Sequence, residues 1–78
     1  MEDIDRVTKA QEDDLAKRFT YHPPMGDQAA RYDEIRAQFL GFAHFLVART
    51  PVSREQSVML TKLEECMFAA NASIARNE

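Results

Sequence analysis

In this 78-residue chain the segment 28-QAARYDEIRAQFLGFAHFLVARTPVSREQ-56 carries the clearest helical pattern. Its apolar residues recur at alternating spacings of three and four, which is the repeat of one helical face. Those residues are Tyr32, Ile35, Phe39, Phe42 and Leu46. The later part, FLGFAHFLV, is apolar on nearly every side, and such a helix must be covered on every side. We therefore predict a helix over residues 28–49 and a subunit interface that includes Phe39, Phe42, Phe45 and Leu46.

A second helix is predicted shortly after this one, over residues 54–76. Ser53 to Gln56 has the pattern of a capping box, in which the serine hydroxyl accepts a hydrogen bond from an amide of the first turn. The apolar stripe of this helix consists of Leu60, Leu63, Met67, Ala70 and Ile74, with Met59, Cys66 and Ala69 beside it. Because the connection is short, the two helices should be antiparallel neighbours. Asn71, which lies among alanines, is predicted to fix the register between subunits.

The N-terminal part is predicted to form another helix and a stiff loop. Residues 1–18 are rich in helix-compatible side chains, although their apolar stripe is thin. The loop over residues 19–27, FTYHPPMGD, contains two prolines and a glycine, which end a helix. Asp27 is expected to cap the next helix through its carboxylate. The prediction is one all-α domain over residues 1–78, an antiparallel helical hairpin with an N-terminal helix, assembled into a homo-oligomer.

Composition and charge limit the classes of function. The net charge of −3 disfavours duplex nucleic acid as a partner, because proteins that bind it usually present a basic face. No apolar stretch reaches the roughly 18 residues of a membrane span, so we expect no membrane partner. The start MEDIDR is acidic and lacks the apolar core of a secretory signal. These features predict a cytoplasmic protein.

The cysteine and histidine content makes oligomerisation the expected source of stability. Cys66 is the only cysteine, so no disulfide can form within one chain, and we expect it to be a buried, inert thiol. His22 and His44 do not stand at zinc-ligand spacing from it, and we predict no metal and no cofactor. A domain of about 60 to 80 residues rarely gains enough stability from its own core. Association between chains is therefore the expected source of the remaining stability.

Two residues carry the most suggestive chemistry. Tyr21 lies in the stiff loop and could stack on a nucleobase, although an aromatic side chain there could equally plug the end of the hairpin. Arg36 could hold an anion or be an ordinary surface residue, and Arg31 is expected to pair with Glu34. No nucleophilic or acid–base constellation is present, so an enzyme is not expected. The residues alone indicate a small oligomeric helical binding or scaffold protein.

Several blocks of sequence resemble a known phage family. They are RFTYHPP at residues 18–24, RYDEIR at 31–36, SREQS at 53–57, LTKLEE at 60–65 and AANASIARN at 69–77. Together and in this order they resemble the hairpin domain shared by phage anti-CBASS sponges and the related anti-Thoeris sponges. The last block is the most specific, and residues 1–17 carry no such motif.

The resemblance implies a homo-hexamer that sequesters cyclic oligonucleotide immune signals in the host cytoplasm without hydrolysing them, and so blocks activation of CBASS effectors. It implies one class of pocket for cyclic dinucleotides such as 3′,3′-cGAMP and another for cyclic trinucleotides such as cA3, both between subunits. Tyr21 would stack on a base of the dinucleotide and Arg36 would pair with a phosphate. The wall of that pocket would be formed by Phe19, Thr20, His22 and Pro23, and the trinucleotide phosphates would face Arg76 and Asn77.

Two other classes of function stay open at this point. A structural or partner-binding helical oligomer without a nucleotide ligand would account for the apolar helix over residues 28–49 equally well. A small phosphodiesterase would share the ligand, but it would need metal or base residues that the sequence does not offer.

Overall fold

The computed structural model describes residues 6–78, and the regular secondary structure of that part of the chain is all α-helical. Three α-helices follow one another: α1 (Lys9–Phe19), α2 (Gln28–Val47) and α3 (Arg54–Asn77). No strand occurs among the described residues. The all-helical prediction is confirmed.

A capping box sets the start of α1. The Thr8 hydroxyl accepts a hydrogen bond from the Gln11 amide at 3.1 Å, and the Gln11 side chain accepts one from the Thr8 amide at 3.0 Å. Residues 6–8 therefore precede the helix, whereas the prediction began it at the N-terminus; residues 1–5 lie outside the described part. Every residue of α1 is exposed. Its local support comes from ion pairs one turn apart, Lys9 with Asp13 at 2.7 Å and Arg18 with Asp14 at 2.8 Å.

α2 and α3 form an antiparallel hairpin, and their contact is the most extensive between helices among residues 6–78. The Ser53 hydroxyl accepts a hydrogen bond from the Gln56 amide at 3.1 Å, as the capping pattern predicted. The Gln56 side chain does not return to the cap. It donates instead to the Thr50 hydroxyl at 2.9 Å, so it fixes the connection itself. α2 ends at Val47, two residues before the predicted limit, and α3 extends to Asn77.

The contact between α2 and α3 is thin. Half-buried apolar side chains face one another along it: Ile35, Phe39, Ala43 and Leu46 on α2, and Met59, Leu63, Met67, Ala70 and Ile74 on α3. Met59 takes the place that the sequence prediction gave to Leu60, which is 37% exposed. No apolar side chain of the described part is buried. The chain exposes 6405 Å², whereas a compact monomer of its mass exposes about 4,900 Å².

The C-terminal half of α2 leaves large apolar groups uncovered. Phe42 and Phe45 are each about half exposed and stack with ring centroids 6.3 Å apart. Leu40 and Val47 on α2 and Phe68 on α3 are also exposed. Cys66 is exposed too, so the expectation of a buried thiol is wrong for the single chain. None of the described helices has the length and apolar character needed to cross a membrane.

Candidate functional site

A cleft of about 360 Å³ lies where the loop after α1 meets the hairpin. Two tyrosines and three arginines give it its chemical character: Tyr21, Tyr32, Arg18, Arg36 and Arg76. None of its lining residues is acidic, although acidic residues outnumber basic ones by 13 to 10 in the whole chain. The cleft is therefore a local positive site with aromatic walls in an acidic protein.

The three arginines differ in how far their charge is already paired. Arg18 contacts Asp14 at 2.8 Å, and Arg36 contacts Asp33 at a looser 3.5 Å. Arg76 has no carboxylate partner within the described residues. The pair between Arg36 and Asp33 is exposed and thus weak, so a phosphate can replace it at little cost.

Arg36 also lies above an aromatic ring. Its guanidinium carbon is 6.0 Å from the centre of the Tyr32 ring, which is at the outer limit for a cation–π contact. The two residues are four apart on α2 and therefore share a helix face. Tyr32 was predicted to belong to the apolar face of α2. It also lines the cleft.

The loop that carries Tyr21 is fastened to the end of α1. The Thr20 hydroxyl donates to the Ala16 carbonyl, and Nε2 of His22 donates to the Lys17 carbonyl at 2.8 Å. The bond from His22 satisfies a carbonyl of the last helical turn, whereas the Ala16 carbonyl also accepts from the Thr20 amide at 3.2 Å. Tyr21 lies between the two anchors, and its side chain is 82% exposed. Tyr21 thus lines the cleft while most of its surface stays in solvent.

Small residues of α3 form the opposite wall. Ala72 and Ala75 line the cleft and leave room beside Asn71. The Asn71 side-chain oxygen is shielded from solvent and lacks a hydrogen-bond partner in the described structure. Within one chain Asn71 is thus a cleft residue, whereas the sequence analysis assigned it to subunit register.

A cluster of polar residues closes the open end of the hairpin next to the cleft. Arg31 donates two hydrogen bonds to the Glu78 carboxylate, one of them at 2.8 Å, and contacts Asp27 at 3.1 Å. Gln28, the buried residue of the described part, donates to Glu78 at 3.3 Å and accepts from the Met25 amide at 3.0 Å. Hydrogen bonds from Arg31, then from Gln28, lower the pKa of Glu78 to about 2.

Two sequence expectations are corrected by this cluster. Asp27 makes no capping hydrogen bond to α2, and its carboxylate faces Arg31 instead. Arg31 pairs with Glu78 and Asp27 rather than with Glu34, because the end of α3 brings a carboxylate within reach of its guanidinium. A partner 47 positions away cannot be found from local spacing.

The structure brings together residues that the sequence analysis assigned to two different pockets. Thr20, Tyr21, His22 and Arg36 line the same cleft as Arg76. Three other predicted site residues do not line it. Phe19 and Pro23 are exposed outside it, and the Asn77 side chain donates to the Ser73 carbonyl at 2.9 Å.

Some cleft residues were missed from the sequence. Tyr32 could have been found from its place one turn before Arg36, and Ala72 from its place one turn before Arg76. Arg18 belongs to the first resembling block, but its role depends on how α1 is oriented, which spacing does not reveal. Among residues 6–78 there is no group of three or more potential metal ligands.

Comparison with known proteins gives one family. A family model described as the Acb2/Tad1 hairpin domain matches residues 11–75. The match includes the whole loop that carries Tyr21, all of α2 and all but the last two residues of α3. Comparison with curated proteins and comparison with solved structures give no match.

Proposed function

Since this chain belongs to the Acb2/Tad1 hairpin family of anti-CBASS and anti-Thoeris sponges, which implies a phage anti-defence role, we propose that it sequesters cyclic dinucleotides such as 3′,3′-cGAMP. The proposed site is the cleft between the loop, α2 and α3. Binding there in the cytoplasm of the infected host would keep the signal from the CBASS effectors that it activates.

The observation that carries this proposal is the pairing of aromatic and cationic groups in one cleft. The exposed Tyr21 ring offers a face for stacking on a nucleobase, an interaction worth about 1 to 3 kcal/mol. Arg36 and Arg76 present guanidinium groups that suit phosphate oxygens. A cyclic dinucleotide needs both kinds of contact, and no carboxylate lines the cleft to repel it.

The open shape of the cleft supports a site shared between subunits. Tyr21 is 82% exposed, and one chain covers only one side of a ligand that carries two bases and two phosphates. Two copies related by a two-fold axis would each supply one tyrosine and a set of arginines, which matches the symmetry of the ligand. The uncovered Phe42 and Phe45 supply a surface for such an assembly, and we propose a hexamer.

Sequestration without hydrolysis is the proposed mode of action. The cleft lining holds no cysteine and no carboxylate, so Nδ1 of His22, whose Nε2–H is donated to the Lys17 carbonyl, is the one imidazole or carboxylate base that the lining offers. A general base must reach the proton that it removes. The remaining groups can hold phosphates and bases in place, and that is what a sponge requires.

Cyclic trinucleotides such as cA3 are a second proposed ligand class. Arg76 supports it because its charge has no carboxylate partner in the described part of the chain. Asn77 supports it less, since its amide is bonded to its own helix. The trinucleotide site would lie at the C-terminal end of α3, where several copies of Arg76 could converge in an assembly.

Titration of the full chain with a panel of cyclic di- and trinucleotides, followed by calorimetry, tests this function. The complex is then heat-denatured and the released ligand is identified by mass spectrometry. We expect binding of 3′,3′-cGAMP and recovery of the intact cyclic molecule. Recovery of linear nucleotide would identify a phosphodiesterase. Absence of binding and of any thermal shift across the panel would favour a structural or partner-binding oligomer.

A further inference from the structure

The cluster at the open end of the hairpin joins three segments that also supply the cleft. Gln28 begins α2, and its side chain bonds both to Met25 in the loop and to Glu78 after α3. Arg31, one turn further along α2, holds Glu78 through both carboxylate oxygens. Such a bidentate contact between guanidinium and carboxylate fixes the relative orientation of the two groups as well as their distance.

Each member of the cluster lies close in sequence to a residue of the cleft. Glu78 follows Arg76 by two residues, and Arg31 is next to Tyr32 and five residues before Arg36. The bond from Met25 to Gln28 fixes the downstream end of the loop whose upstream end carries Tyr21. The cluster thus determines how far the end of α3 stands from the loop and from α2.

We propose that Gln28, Arg31 and Glu78 are positioning residues for the cleft, which they hold at the width that lets Tyr21, Arg36 and Arg76 act on one ligand. This inference rests on the proposed function, because it assigns a role in binding to groups that do not line the cleft. The apolar contact between α2 and α3 contains no buried side chain, so these polar bonds are the specific link at the open end.

A positioning role and a purely electrostatic role predict opposite effects for one substitution. Glu78→Gln removes a negative charge close to a site for an anion, so electrostatics alone would tighten binding. If Glu78 instead positions Arg76, the same substitution loosens the end of α3 and weakens binding. Arg31→Gln weakens binding under both roles and therefore cannot separate them by itself.

The test measures the Kd of 3′,3′-cGAMP for the wild-type chain, for Glu78→Gln, for Arg31→Gln and for the double variant. We expect each single variant to bind about three- to fivefold more weakly, near the upper limit for a partly exposed ion pair. The double variant should bind no more weakly than either single one, because both substitutions break the same contact.

The matched control is Glu65→Gln, the same substitution on the same helix. Glu65 pairs with Lys62 at 3.4 Å on the exposed side of α3, away from the cleft. Its Kd should equal that of the wild type. Unfolding midpoints and assembled masses are recorded for all variants, since a merely structural role would lower the midpoint and leave the Kd of the folded protein unchanged.

Three results would overturn the inference. They are tighter or unchanged binding by Glu78→Gln, additive losses in the double variant, and an equal loss of affinity in Glu65→Gln. Each of these results requires that the wild-type chain binds, so each leaves the proposed function intact. A wild-type chain that binds no cyclic dinucleotide would instead refute the proposed function, and this inference with it.

Discussion

The two halves of α2 differ in which of their side chains find partners within the chain. In the N-terminal half, Gln28 and Arg31 find their partners within the same chain, and Tyr32 and Arg36 turn toward the cleft. In the C-terminal half, about half of the Phe42 side chain stays in solvent, and Phe45 and Leu40 are similarly uncovered. The N-terminal half offers a site, whereas the C-terminal half packs one face on α3 through Phe39, Ala43 and Leu46 and leaves its other face as an exposed apolar surface.

This difference separates the sources of stability and of function in so small a chain. A stable monomer rarely leaves several large apolar side chains of one helix about half exposed to water. The cleft is open to solvent, so it adds little to folding. Association through the C-terminal half of α2 would supply the missing burial, and the N-terminal half would then be free to bind ligand. Three experiments examine whether the two halves are separable in this way.

The largest effect is expected from Phe42→Glu. A charge placed in an apolar contact between subunits and left without a partner costs about 3 to 5 kcal/mol per site. We expect the assembly to dissociate, as measured by light scattering on the full chain. Ala37→Glu places the same charge about 140° around the helix and should leave the mass unchanged. A Phe42→Glu protein of wild-type mass would show that this half of α2 is not the interface.

A smaller effect is expected from Tyr21→Ala, which removes the proposed stacking platform. Loss of one base stack should weaken the Kd of 3′,3′-cGAMP by about 5- to 150-fold, or about 1 to 3 kcal/mol. Phe19→Ala is the matched control, because Phe19 is equally exposed and two residues away but does not line the cleft. Calorimetry should show near wild-type affinity for it. Equal losses in both variants would remove Tyr21 from its assigned role.

The smallest effect concerns acid and the end of α3. The pKa of Glu78 is lowered from 4.5 to about 2 by Arg31 and Gln28, so its ionised form stabilises the folded chain above pH 4.5. This contribution is lost as the pH falls from 4.5 toward 2. We expect the wild type to unfold at a higher temperature than Glu78→Gln near neutral pH, and the gap to close in acid. A gap that is constant with pH would contradict the ion pair.

Much of the hairpin could be predicted from the sequence because its signals are local. The capping pattern at Ser53 and the short connection fixed where α3 starts and which way it runs. The start of α1 was missed although Thr8 and Gln11 also form a local capping box, since the helix-compatible composition before them masked it. Composition is a weaker signal of a helix start than a capping box, and in the structure α1 begins at the capping box.

The site was predicted less completely because it depends on contacts between distant residues. Tyr21 and Arg36 could be named from residue type and from the resembling blocks, and the structure brings them to one cleft. Their meeting with Arg76, and the bonds of Arg31 to Glu78, require the hairpin to close. The spacing of residues within one helix does not indicate contacts between residues that are 40 or more positions apart.

The affinity of Arg36→Gln for 3′,3′-cGAMP, measured by calorimetry beside the wild type, shows whether the cleft binds the phosphates of a cyclic dinucleotide. Arg36 is the cleft arginine with the weaker of the two carboxylate contacts, and its loss should cost a charged hydrogen bond to phosphate. We predict a Kd about 10- to 150-fold weaker, with unchanged mass, and wild-type affinity for Arg54→Gln, which removes the same charge outside the cleft. Equal binding by wild type and Arg36→Gln would contradict the assignment of this cleft to a cyclic dinucleotide.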